Sequence, residues 1–342
     1  MNQLKTAFHQ QYPTSYFLDT DLPELTSFLM AREWILPGEK LLGVEKPGEG
    51  NMNFVLRIKT TERSFILKQA RPWVEKYPQI AAPIERNQVE ATYFNKISEI
   101  PALSAYSPKL LASSPLHFLM MLGDLGEGVD YLPLYQAGPE IADIDLKETV
   151  AYLAALHQVS GKGYPENQAM RVLNHEHIFH FPFLEDNGLD LDAILVGLGK
   201  ESWGYRQNEV LKEKISRLGK IYLSNGPILV HGDFYPGSWL KTSTGLKVID
   251  PEFSFPGIPE FDLGVLVAHM ILSQQDRSTI SRILGYYVSS VQVDEELLSG
   301  FAGTEILRRV LGVAQLPLAA DLSERIAMMR LAEKWVMTGQ LT

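Results

Sequence analysis

Hydrophobic and polar positions change rhythm several times along the chain, and each change marks an element. Between Lys40 and Ala70, short apolar runs (LLGVEK, NFVLRIK, SFILKQA) alternate with the turn-forming stretches PGEGN and TTER, which predicts an antiparallel meander. From Ile84 to Ile97 the apolar spacing lengthens to a helical period, with Val89, Tyr93, Phe94 and Ile97 on one side. A further β-like run covers His117 to Leu122, after which Gly123, Gly126 and Gly128 break the pattern and predict a flexible connection. Helical periods then dominate. LKETVAYLAALHQV repeats Val150, Leu153, Ala154 and Leu156 on one face, Val265 to Leu272 reads as a buried helix, and helices run from Glu305 to Met337. Two short β-like runs, PILVHGD and GLKVIDPE, interrupt them. The expected architecture is α+β with two lobes. Residues 1–123 form a small antiparallel β-sheet lobe with one helix and an N-terminal helical extension, and residues 124–342 form a larger, mainly helical lobe.

Composition narrows the partners. A chain of 342 residues that is 45% hydrophobic is long enough for two packed cores. Its net charge of −10 is spread without long like-charge blocks, so the surface should repel polyanions and nucleic acid is not an expected partner. There is no cysteine, which removes disulfides, thiolate metal sites and thiol nucleophiles and fits a cytoplasmic location. The first thirty residues lack the uninterrupted apolar core of a secretory signal, and VLVAHMIL is too short to cross a bilayer, so no membrane association is expected. Oligomeric state stays open, with a symmetric homodimer a common solution at this size.

Four motifs carry chemistry. Gly48-Glu49-Gly50-Asn51-Met52-Asn53-Phe54-Val55 lies on a turn between two strands and follows the glycine-rich loop G-x-G-x-x-G-x-V of kinases, with Asn53 in place of the third glycine. Read alone it is an ordinary hairpin turn. In company, Gly48, Gly50, Asn51 and Asn53 become candidates for binding nucleotide phosphates through closely approaching backbone N–H groups. The third strand, Phe65-Ile66-Leu67-Lys68, ends in a lysine placed to contact the α- and β-phosphates. Helical Glu90 is the preferred carboxylate to hold Lys68, with Glu85 its competitor. His231-Gly232-Asp233 follows the apolar run Ile228-Leu229-Val230 and has the spacing of a kinase catalytic loop, which makes Asp233 the candidate to orient and deprotonate an attacking hydroxyl. Ser238 stands where that loop carries a metal-binding Asn. Twelve residues on, Val248-Ile249 leads into Asp250 and Glu252, whose hard oxygens suit Mg²⁺ on ATP phosphates. From the lobe order, Leu119 to Leu122, with Met120, Met121 and Leu122 foremost, and the loop after them should bracket adenine.

With these motifs the sequence resembles the aminoglycoside phosphotransferase and choline kinase superfamily, and within it the methylthioribose kinases. H-G-D in place of H-R-D and the lack of an A-P-E segment point to the superfamily. The narrower likeness rests on Gly48 to Asn53, Lys68-Gln69-Ala70, Ser238, Asp250-Pro251-Glu252-Phe253-Ser254-Phe255, Phe261-Asp262-Leu263-Gly264 and Arg308-Arg309-Val310-Leu311-Gly312-Val313-Ala314. The resemblance implies a protein-kinase-like fold and ATP-dependent phosphorylation of a sugar hydroxyl, 5-methylthioribose to its 1-phosphate being the named expectation. It also implies Mg²⁺ and a substrate role for Arg308 and Arg309 alongside Asp233. Read without the family, two adjacent helical arginines point in different directions, and one of them is expected to be a surface charge. One departure stands out: Arg71-Pro72-Trp73-Val74-Glu75-Lys76-Tyr77-Pro78 replaces the family's G-E-S-W-P lid segment. Rival readings are a kinase for an aminoglycoside, amino alcohol or other sugar, and a non-catalytic nucleotide-binding module, against which the joint presence of Lys68, Asp233 and Asp250 argues. Asn174-His175-Glu176-His177 with His180 lacks H-E-x-x-H spacing and reads as a polar loop or substrate-side wall rather than a zinc site. His157 reads as a buried or interfacial histidine, and Trp203 and Tyr205 as packing residues.

Overall fold

The computed structural model describes residues 2–48, 52–289 and 291–341, so Gly50 and Asn51 of the glycine-rich loop lie outside the described residues. The chain divides into two compact units, Met1–Glu127 and Gly128–Thr342.

The first unit opens with helices α1 (Asn2–Gln11) and α2 (Leu22–Ala31), followed by strands β1 (Leu41–Glu45), β2 (Phe54–Thr60) and β3 (Ser64–Gln69). A short hairpin, β4 (Trp73–Val74) and β5 (Tyr77–Ala81), leads into α3 (Arg86–Ile97) and α4 (Pro101–Ser104), and β6 (Leu110–Ser114) and β7 (Leu119–Gly123) close the unit. The sheet order is β1-β2-β3-β7-β6, every pairing antiparallel, so the expected meander forms its first three strands. Edge strand β6 went unread because LLASS shows little β signal of its own. Period-2 alternation places Phe54, Leu56 and Ile58 of β2 in one core with Leu25 and Leu29 of α2 and with Trp34 and Ile35. The lobe therefore carries more than one helix, because the N-terminal helices cover apolar surface that the sheet alone would expose. In β3, Lys68 stands between Val55 of β2 and Met120 of β7. Buried Val89, Tyr93, Phe94 and Ile97 form the apolar side of α3, which packs against β6 and β7.

The second unit contains β8 (Gly128–Asp130), α5 (Asp143–Leu156), α6 (Gln168–His175), α7 (Leu198–Gln207) and α8 (Glu209–Leu223). There follow β9 (Ile228–Val230), β10 (Trp239–Thr242), β11 (Gly245–Val248) and β12 (Phe255–Gly257), then α9 (Pro259–Leu272), α10 (Ser278–Tyr286), α11 (Glu295–Leu311) and α12 (Leu322–Thr338). Strands β11-β10-β8 form one small antiparallel sheet, and β12 pairs with β9. Every residue of α9 is buried, its polar Glu260, Asp262 and His269 included, and α11 packs against both α9 and α12. No helix among the described residues is long and apolar enough to cross a membrane.

Candidate active site

In the first unit, Lys68 Nζ donates to Glu90 Oε1 at 2.7 Å, and both side chains are buried. Glu85 is exposed at the N-terminal boundary of α3 and takes no part in this pair, because helical periodicity turns Glu90 inward with Val89 and Tyr93. Removing one partner of such a pair leaves an uncompensated buried charge, at a cost of about 3–5 kcal/mol. Gly48 ends the first described part of the glycine-rich loop. A Cβ there would meet nothing within 4 Å among the described residues.

Asn53 is buried and its side-chain oxygen accepts from Arg86 Nε at 3.0 Å. The same guanidinium donates to the carbonyls of Met52 (2.8 Å), Arg71 (2.9 Å) and Pro83 (2.7 Å). Asn53 thus anchors the exit of the loop to the start of α3. The segment that replaces the family's lid string is also structural. Arg71 lies between the rings of Phe17 and Phe54, 4.1 Å from each centroid, and Trp73 is buried with Phe8, Phe17, Ala70 and Ile84. Met120, Met121 and Leu122 lie buried in β7 between β3 and β6. Their backbone groups serve those two ladders, so apolar side-chain contact is what this stretch offers a base. The first backbone beyond the strand is at residues 124–125.

In the second unit, the loop after β9 is held at nearly every step. Fully buried Asp262, on the first turn of α9, accepts from the backbone N–H groups of His231 (2.7 Å) and Gly232 (3.0 Å). His157 and Tyr287 extend this network, with His157 Nε2 3.4 Å from Asp262 and His157 Nδ1 2.8 Å from the Tyr287 hydroxyl. His157 is therefore a buried positioning residue. Nε2 of His231 lies 3.0 Å from the Ile249 carbonyl, and its Nδ1 accepts from Asp233 N–H at 3.4 Å, which ties the catalytic-loop candidate to the strand preceding Asp250. Gly232 adopts φ +85°, and a Cβ there would lie 2.2 Å from the Phe253 carbonyl oxygen, so the middle residue of H-G-D must be glycine. The Ser238 hydroxyl donates to the Asp233 carbonyl at 2.8 Å, leaving lone pairs as its offer to a metal.

Asp250 sits in the left-handed region (φ 60°, ψ 49°), a conformation Asp tolerates better than most residues, and opens a 3₁₀ turn that buries Glu252. No group of three or more His, Asp or Glu among the described residues makes a metal cage. Two carboxylates one residue apart match instead what Mg²⁺ requires when it arrives with a nucleotide: one or two protein oxygens, phosphate oxygens and water.

Arg308 and Arg309 correct the expectation that one of them is a surface charge. Both are buried, because Glu305 on α11 reaches both: Arg308 at i+3 through Nε to Oε2 at 2.5 Å and Arg309 at i+4 through Nε to Oε1 at 2.8 Å. Residues three and four apart share a helix face, so one carboxylate gathers two adjacent arginines. Arg309 Nη2 lies 3.7 Å from Asp233 Oδ1, and its guanidinium carbon is 4.9 Å from the centre of the Tyr235 ring. Burial pushes the Asp233 carboxyl up to about 6, against the pull of both arginines, while Glu305 and Glu252 add to the rise. The carboxylate still keeps 26% of its side-chain surface open, which a group that must meet a substrate needs.

His180 pairs with Glu176 at 2.7 Å on the exposed side of a π turn, and the His175 ring packs near Phe179. Trp203, expected as a packing residue, is 50% exposed on α7, whereas Tyr205 is buried. Sequence reasoning missed two positioning carboxylates. Asp262 carries no signal beyond its place in Phe261-Asp262-Leu263-Gly264, whereas Glu305 carries one, the spacing E-x-x-R-R, which puts the glutamate on a face shared with both arginines.

A profile described as the phosphotransferase enzyme family matches residues 43–296. The chain is similar to a methylthioribose kinase of Exiguobacterium sibiricum at 28% identity over 84% of this chain and 84% of that protein. It is similar to another of Bacillus velezensis at 26% identity over 95% and 89%. Among solved structures, a choline kinase from Streptococcus pneumoniae superposes with a TM-score of 0.52 at 15% identity, over 92% of this chain and 99% of that one. A microcompartment-associated aminopropanol kinase superposes with a TM-score of 0.53 at 16% identity, over 93% and 99%. At such identities the structural likeness speaks for a shared protein-kinase-like fold.

Proposed function

Since the chain belongs to the phosphotransferase enzyme family and is an ATP-dependent kinase with a hydroxyl acceptor, we propose that it phosphorylates a small neutral sugar, 5-methylthioribose at the anomeric hydroxyl. The observation that carries this reading is the surroundings of Asp233, a recessed carboxylate with a guanidinium 3.7 Å away. A carboxylate whose pKa is lifted to about 6 is ionised at neutral pH yet basic enough to take a hydroxyl proton. As Asp233 withdraws that proton, the acceptor oxygen bonds to the γ-phosphorus, the bond to the β–γ bridging oxygen breaks, and ADP leaves. Lys68, fixed by Glu90, and the backbone of the glycine-rich loop hold the nucleotide phosphates. Asp250 and Glu252, with Ser238 as a neutral third oxygen, would hold Mg²⁺, which when bound neutralises charge on the phosphates. Arg308 and Arg309 face the developing charge and the sugar hydroxyls.

The charge of these residues supports a neutral acceptor over a cationic one. Choline, amino alcohols and aminoglycosides carry positive charge and call for carboxylates or aromatic faces. Here two guanidiniums adjoin the base, balanced by Asp233 and Glu305 rather than outnumbered. The similarity to methylthioribose kinases supports the same choice. A coupled ADP-release assay with Mg²⁺ over methylthioribose, ribose, choline and aminoglycosides tests it: turnover should be best with methylthioribose. Turnover confined to the cationic acceptors would overturn the substrate assignment.

A further inference from the structure

Glu305 has no part in the phosphotransfer chemistry described so far, yet it is the most heavily engaged carboxylate near Asp233. It is fully buried and accepts from three donors: Arg308 Nε on one oxygen, and Arg309 Nε and His269 Nε2 (3.0 Å) on the other. His269 is itself fixed, with Nδ1 2.5 Å from the Tyr135 hydroxyl. Burial holds its pKa down to about 4, so a neutral ring donating from Nε2 satisfies both contacts. Glu305 takes each arginine through Nε, and neither arginine makes an Nη hydrogen bond to it. Their fates then differ. Arg309 is held by the Ala314 carbonyl at Nη1 (3.3 Å) and by the Tyr235 ring, with Nη2 standing 3.7 Å from Asp233. Arg308, bonded through Nε, has no protein partner on either Nη among the described residues.

Resting on the site assignment above, we propose that Glu305 is a positioning residue that sorts the two arginines, holding Arg309 short of a contact ion pair with Asp233 and aiming the Nη fork of Arg308 at vicinal hydroxyls of the acceptor. The distances carry the first half. At 3.7 Å, Arg309 lies beyond hydrogen-bond range of Asp233, whose oxygens stay available to the acceptor hydroxyl. Without the counter-pull of Glu305, Arg309 is free to close on Asp233 as a short charge-assisted pair and occupy the base. The second half follows from shape. A guanidinium anchored by one edge presents two parallel N–H donors, which match two adjacent hydroxyl oxygens as a lysine ammonium does not.

The test is steady-state kinetics of Glu305→Gln with the best acceptor of the panel above, alongside Arg308→Lys and the double variant. Gln keeps the size of Glu305 and loses its charge. The expected result is an acceptor KM raised about 10-fold or more and a kcat lowered about 10-fold, with the KM for ATP within about 2-fold of wild type. Arg308→Lys keeps the positive charge and loses the fork. It should reproduce the rise in acceptor KM while leaving kcat closer to wild type, and the double variant should raise that KM little beyond either single one, as residues acting through one another do. If Glu305→Gln fails to fold, Arg308→Lys carries the same expectation. Equal losses toward ATP and acceptor, an unchanged acceptor KM in either folded variant, or fully additive effects would overturn the proposal. Wild-type turnover of some other sugar would refute the methylthioribose assignment alone, since the KM split is then read on that sugar.

Discussion

Replacing Asp233 by Asn separates what this carboxylate does for the reaction from what it does to the fold. Its folded pKa of about 6, against an ordinary 3.8, means that the native state holds a proton the unfolded chain has released. Stability contributed by the protonated form is therefore present below pH ~4 and declines as pH rises through the window from about 4 to about 6. At about 1.4 kcal/mol per pH unit the full difference amounts to roughly 3 kcal/mol, and the partial exposure of the side chain lowers the expectation to about 1–3 kcal/mol. Asn stays neutral and escapes this cost. Asp233→Asn should thus melt a few degrees above wild type at pH 8, at about 2 °C per kcal/mol for a chain of this size, and match it near pH 4. Its kcat should fall about 10²-fold or more with the KM for ATP nearly unchanged, because the lost group serves the acceptor. Thermal denaturation at the two pH values and coupled ADP release read both effects. Near-normal turnover would remove Asp233 from the reaction, and a variant less stable than wild type at pH 8 would refute the destabilised-carboxylate argument.

Other expectations follow from the same contacts. Wild-type kcat should fall on the acid side with a limb near pH 6, since only the ionised Asp233 accepts a proton, and a pH–rate profile checks this. Glu90→Gln leaves the buried Lys68 ammonium with a neutral partner, so it should lose about 3 kcal/mol or more by denaturant titration and raise the KM for ATP about 10-fold with little change for the acceptor. Gly232→Ala combines a left-handed backbone with a 2.2 Å approach to the Phe253 carbonyl and should cost more than about 2 kcal/mol while abolishing most turnover, measured by denaturation and ADP release.

Residues whose roles follow from local pattern were legible, and residues whose roles depend on what folds against them were not. Lys68 ends an apolar strand and Glu90 lies on the apolar side of a helix, so short-range periodicity alone brings both to the interior of the small unit. Asp233 and Asp250 each follow an apolar strand, which fixes where they emerge. Asn53 looked like a loop residue substituting for glycine, but the buried Arg86 that claims its side-chain oxygen lies thirty-three positions away. Trp73 lies in the segment that replaces the family's lid string, and α1 makes it core. The legible pattern in E-x-x-R-R was missed because charges were counted singly rather than by the face they share.

The face that Glu305 shares with Arg308 and Arg309 bears on the base itself. An aspartate with two arginines nearby should, from charge alone, have a lowered pKa and be a poor base. Glu305 changes this outcome. Its own carboxyl is held well below the usual range by the two arginines and His269, so it stays ionised and offsets the guanidinium charge that Asp233 would otherwise feel. With Asp233 and Glu305 against Arg308 and Arg309 the cluster is formally neutral, and burial then dominates and lifts Asp233 toward neutrality. A substrate hydroxyl entering there meets donors for its oxygens and a base for its proton, without the net charge that would select a cationic acceptor.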